Sequence, residues 1–106
     1  MDATEEDIDD ILEYGQFWIG YSAKKMIGAP SQCHRNTCEL WELNKDKMKI
    51  CTGYALSDDG MWRQHSWGIV KTPRSIKIIE TTKERVAYYG FIMTDEQAKE
   101  FTYWNY

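Results

Sequence analysis

At Lys47 the spacing of apolar residues changes from helical to alternating, and that change constrains the fold more than anything else in the chain. Met48, Ile50, Thr52 and Tyr54 alternate with Lys47, Lys49, Cys51 and Gly53, the period of two that a half-buried strand requires. Ser57-Asp58-Asp59-Gly60 is a turn signal. Residues 61–70 then read as a second strand, with Met61, Arg63, His65, Trp67 and Ile69 on one face. Lys71-Thr72-Pro73-Arg74 turns the chain again, and residues 75–81 and 85–92 supply a third and a fourth strand. Connections this short join antiparallel neighbours, because a parallel pair needs a crossover of about a dozen residues or more.

The flanks are helical. Thr4 with Asp7 forms a variant capping box, and Ile8, Ile11 and Leu12 make one apolar stripe behind it. Gly15 and Gly20 weaken a helix running unbroken to Met26. Gly28-Ala29-Pro30 punctuates the chain, Ser31 stands as an N-cap, and residues 32–43 form a helix with Leu40, Trp41 and Leu43 turned inward. Thr94 with Gln97 is a second capping box, opening a short helix near the carboxyl end. The expected fold is α+β: N-terminal helices, one carrying Cys33, packed on a three- to four-stranded antiparallel sheet, with a short C-terminal helix. Residues 1–106 form a single domain, divided into an acidic N-terminal helical segment (1–27), a core (29–93) and a C-terminal helix with an aromatic tail (94–106).

Composition narrows the function classes. With 106 residues and 42% hydrophobic content the chain suits one folded domain and is too apolar for disorder. No apolar run approaches the ~20 residues of a membrane span, and the acidic amino end is unlike a signal peptide. Three cysteines cannot all pair within one chain, which points to a reducing, cytoplasmic setting and leaves each thiol to be explained singly. The net charge of −4 is uneven: residues 1–13 hold seven acids and no base, against 10 acids and 13 bases in the remainder. The acids sit at the favoured end of a helix dipole, and no Lys/Arg cluster tracks a face, so nucleic acid is not an expected partner.

Three residues carry the possible chemistry. Cys33 falls in the first turn of its helix, where unpaired backbone N–H groups and the dipole favour a thiolate. The same N–H groups, with the Gln32 side chain beside them, are candidate donors to an oxyanion. His65, on a strand face with Trp67 and Ile69, is the natural base. Glu80 ends the apolar run Ile76-Lys77-Ile78-Ile79 on the neighbouring strand, placed to fix the imidazole tautomer and stabilise imidazolium. Arg63 and Arg85 are candidates for holding an acidic group of a substrate, and solvated strand charges are the plainer reading of both. Cys33, His34, Cys38, Cys51 and His65 lack the spacing of a zinc knuckle, so no metal or other cofactor is expected, and Cys38 and Cys51 read as packing. Trp62, Tyr88, Tyr89, Tyr103, Trp104 and Tyr106 offer either core packing or an aromatic surface.

Several segments resemble one family. Pro30-Ser31-Gln32-Cys33-His34-Arg35-Asn36, Thr52-Gly53-Tyr54-Ala55, His65-Ser66-Trp67, Ile79-Glu80-Thr81-Thr82 and Tyr88-Tyr89-Gly90-Phe91 look like the transglutaminase-like branch of papain-like cysteine enzymes, closest to small bacterial and phage proteins of that type. The resemblance runs from Ala29 to Met93. It implies Cys33 as nucleophile, His65 as base and Glu80 as orienting acid, with Gln32, Asn36 and Trp67 in support; the family usually has aspartate where Glu80 stands. It implies a hydrolase or acyltransferase acting on a peptide bond or a glutamine side chain of a protein substrate. The alternative is a catalytically idle protein of that fold that binds and modulates a host protein.

Overall fold

The computed structural model describes residues 12–19, 24–25, 32–83 and 85–105. In chain order the elements are β1 (Gln16–Ile19), β2 (Lys24–Lys25), α1 (Cys33–Leu43), β3 (Met48–Leu56), β4 (Trp62–Lys71), β5 (Ile76–Glu80), β6 (Ala87–Ile92) and α2 (Asp95–Asn105). The architecture is α+β. A single sheet runs in the order β1-β6-β3-β4-β5-β2. Every neighbour pairs antiparallel except β2, whose two residues lie parallel to the end of β5.

The alternation from Lys47 onward becomes the β3–β4 hairpin, with Met48 opposite Val70 and Leu56 opposite Trp62. Its turn closes as the residues dictate: Ser57 N–H donates to the Met61 carbonyl at 2.9 Å, and Gly60 takes φ +83°, a conformation that side chains resist. The second capping box is reciprocal, with Thr94 N–H donating to Gln97 Oε1 at 2.9 Å and Gln97 N–H to Thr94 Oγ1 at 3.2 Å.

The sheet has two faces with separate apolar clusters. Helices α1 and α2 cover the first, where Trp41, Met48, Ile50, Phe91, Met93 and Ala98 are buried together. The opposite face buries Cys51, Ala55, Trp67, Ile69, Ile78 and Tyr88. Gly53 and Gly90 face each other across β3 and β6 and let the strands and an indole close up. A Cβ on Gly90 would stand 2.7 Å from the Trp67 ring and collide with the Thr52 carbonyl.

Four expectations change. Residues 16–19 and 24–25 are strands, although the segment was expected to be helical; residues 12–14 alone are helical there among those described. Phe17 and Trp18 favour a strand, and Gly15 separates them from the preceding turn. Among the described residues the sheet accordingly has six strands, where three or four are expected. The helix of Cys33 starts as foreseen, but its N-cap is Gln32, without a side-chain cap bond, and Ser31 lies outside the described residues. Leu43 is 79% exposed at the end of α1, while Trp41 is buried and Leu40 packs beside it. The Thr4–Asp7 box, the acidic residues 1–11 and Tyr106 also lie outside the described residues.

Candidate active site

Cys33 is the first residue of α1. The first intrahelical bond there runs from Asn36 N–H to the Gln32 carbonyl at 2.9 Å, so the N–H groups of Cys33, His34 and Arg35 have no acceptor within the helix. Thr37 Oγ1 donates back to the Cys33 carbonyl at 2.7 Å and tightens this first turn. The helix end meets β4 where the sheet opens. Pairing between β4 and β5 stops at Gly68 and Ile79, and just beyond it the Ser66 main-chain N–H donates to the Cys33 sulfur.

The same sulfur shares a hydrogen bond with the His65 ring. His65 Nε2 is engaged elsewhere, 2.8 Å from Glu80 Oε1 and 3.0 Å from Oε2, which leaves Nδ1 for the thiol. Extending the β4–β5 register by one residue sets Glu80 beside Trp67, with His65 two residues further along the same face, a diagonal neighbour within reach. His65 and Glu80 are buried, whereas Cys33 keeps partial contact with solvent.

Glu80 is wholly buried yet fully served by donors. Tyr88 hydroxyl donates to Oε1 at 2.7 Å, and Thr82 donates to Oε2 through both its N–H and its hydroxyl, each at 3.1 Å. Beneath the histidine lies Trp67, its ring 6.1 Å from the imidazole and inclined by 24°, and Tyr88 packs on that indole at 4.9 Å.

These contacts set the protonation states. Burial opposes ionisation of the Cys33 thiol, but the His65 hydrogen bond and charge, helped by the Ser66 N–H, hold it below its ordinary value. Burial likewise disfavours a charged His65, and the bonds to Cys33 and Glu80 outweigh it, raising the imidazole. Glu80 is depressed against its own burial by His65, Tyr88 and the Thr82 N–H. All three directions favour thiolate, imidazolium and carboxylate together. The other thiols go the opposite way: burial lifts Cys38 to about 11 and Cys51 further still.

Of the residues expected in support, Trp67 is in place under His65. Asn36 is buried one turn into α1, and Gln32 is exposed at its cap. The two arginines have partners within the fold. Arg63 forks onto Asp59 at 2.7 and 3.0 Å, and Arg85 donates to Ser57 Oγ at 3.2 Å and Thr82 Oγ1 at 3.4 Å. Arg85 thus stands behind the carboxylate clamp.

The sequence presents Thr82 only as a motif letter and Tyr88 as a motif letter and an aromatic packing residue, and neither pattern shows their donation to Glu80. The usable signal was a tyrosine at an inward strand position: a buried phenol needs a polar partner. A second network lies beside it. His34 Nδ1 lies 2.6 Å from Ser66 Oγ, which is 3.1 Å from Thr52 Oγ1, so the strand that touches the thiol is tied to the helix that carries it.

Among the described residues, no group of three or more His, Cys, Asp or Glu side chains is arranged to hold a metal ion, and no helix is long and apolar enough to cross a membrane. No family model matches the chain, and no curated protein or solved structure matches it either.

Proposed function

We propose that the chain is a small cysteine hydrolase or acyltransferase of the papain-like, transglutaminase-like type, acting on an amide of a protein or peptide. The observation that carries this reading is the continuous array Cys33–His65–Glu80, with a depressed thiol reaching solvent at a helix start and a buried carboxylate 2.8 Å behind the imidazole. A structural cysteine has no need of this arrangement; Cys38 and Cys51, buried with raised thiols, are what packing alone produces.

In this mechanism the Cys33 thiolate attacks the amide carbonyl. The N–H groups of the first turn of α1, with the Gln32 side chain, stabilise the negative oxygen. His65 Nδ1 then gives its proton to the departing amine as the carbon–nitrogen bond breaks, leaving a thioester. Glu80 keeps the ring charged and oriented until that transfer. Neutral His65 next draws a proton from water or from an acceptor amine, which attacks the thioester; the carbon–sulfur bond breaks, the acyl group is released and the thiolate–imidazolium pair is restored.

The direct test is alkylation of the native protein with iodoacetamide, mapped by mass spectrometry. Selective modification of Cys33 at neutral and mildly acidic pH, lost in His65→Ala, is the expected result. Equally slow reaction of all three cysteines overturns it and favours the idle, protein-binding alternative. Release of ammonia or of peptide fragments from a casein substrate, absent in Cys33→Ser, then separates deamidation from peptide hydrolysis.

A further inference from the structure

We infer that Tyr88 is a positioning residue of this site, acting through Glu80: its hydroxyl fixes the carboxylate oxygen nearer to His65. The inference rests on the cysteine-enzyme reading and extends it from three residues to four.

The carboxylate is gripped at both oxygens by groups of different origin. Oε2 receives Thr82, which lies two residues further along the chain, through both an N–H and a hydroxyl, and is also 3.0 Å from His65 Nε2. Oε1 receives His65 at 2.8 Å and Tyr88 at 2.7 Å. Without Tyr88, every donor other than the imidazole itself would lie on Oε2, and the carboxylate could swing about that oxygen. Tyr88 supplies the second fixed point, so the carboxylate plane stays directed at the imidazole.

The fold makes this contact at a distance. Tyr88 belongs to β6, and β3 and β4 lie between it and β5. Opposite Tyr88 on β3 stands Ala55, whose small side chain leaves the phenol room to reach across. Tyr88 is wholly buried, packed on Trp67 and 6.2 Å from the His65 ring. A phenylalanine would fill the same space, so the hydroxyl is needed for the carboxylate and not for the packing. A donor on Oε1 also stabilises the ionised form of Glu80, and through it the imidazolium.

The test uses the full chain and two readouts: the NMR titration of the His65 imidazole, and the pH profile of Cys33 alkylation by iodoacetamide. Tyr88→Phe is expected to lower the His65 midpoint by about half a pH unit or more, with a matching loss of alkylation of about threefold in acid, while the fold is retained. In a Glu80→Gln background the same substitution should add nothing. Glu80→Asp, which draws the carboxylate back from the phenol without touching its ring, should lower the midpoint likewise and make Tyr88→Phe silent. Superimposable His65 titrations in wild type and Tyr88→Phe overturn the inference, as does an equal shift that persists in Glu80→Gln, since the ring would then be acting by packing. Absence of selective Cys33 alkylation in the wild type defeats the enzyme reading alone; the His65 titration still decides whether Tyr88 positions the pair.

Discussion

The two faces of the sheet solve different problems with similar materials. Under the helices, large apolar residues pack on one another, and the polar contacts there include hydroxyls bridging His34, Ser66 and Thr52. On the other face an apolar cluster with as many buried residues encloses His65 and Glu80, whose charges would be costly to bury unpaired. That cost is offset because the imidazole meets the carboxylate and each carboxylate oxygen has further donors. The helix face thus holds the fold together, and the opposite face uses its dryness to strengthen a few charged contacts.

Paired indole truncations probe that division most strongly. Trp41→Ala and Trp67→Ala should each cost about 3–5 kcal/mol in urea unfolding, since both rings are buried. Only Trp67→Ala should also abolish selective Cys33 alkylation in the molecules that remain folded; equal loss in Trp41→Ala would erase the distinction between the faces. Gly90→Ala follows at about 1–3 kcal/mol, because the added Cβ presses on the Trp67 ring and the β3 backbone. An unchanged midpoint in that variant would mean that the strands separate easily there.

Glu80→Gln keeps the shape and removes the charge. Alkylation of Cys33 near pH 6 should fall about tenfold or more as His65 loses its counter-charge. The effect on stability follows from the directions of the shifts. Glu80 is depressed, so its contribution is present above its unfolded value and lost as pH falls through the folded one; His65 is raised, so its contribution is full below its unfolded value and lost as pH rises through the folded one. Both are complete between about pH 4.3 and 6.5, and Glu80→Gln should flatten the acid side of a stability–pH curve. Smallest of all, Thr94→Ala should cost about 1 kcal/mol by removing the cap of α2, with the alkylation profile unmoved.

The sequence made the long alternation, the hairpin turn, the start of α1 and the second capping box legible, because each is decided by neighbours along the chain. The segment 16–25 was not legible: its strands are short, and their pairing with β6 and β5 lies far away in sequence. In the site, Cys33, His65 and Glu80 stood out by residue type and order, and the β4–β5 register brings the last two together. Tyr88 did not stand out, because its partner lies across three strand boundaries and no local pattern encodes that reach. Arg63 looked available for a substrate because a sequence does not reveal that Asp59 closes its fork.

The gap where β5 leaves β4 has a consequence for folding. The Cys33 sulfur is tuned by Ser66 and His65, and His65 in turn by residues of β5 and β6, so several distant segments must meet before the thiol changes character. In the unfolded chain Cys33 is an ordinary thiol, and contacts of long sequence separation form slowly. The thiol is therefore lowered only as the sheet closes, and a pulse of alkylating reagent during refolding would time that closure at a single atom.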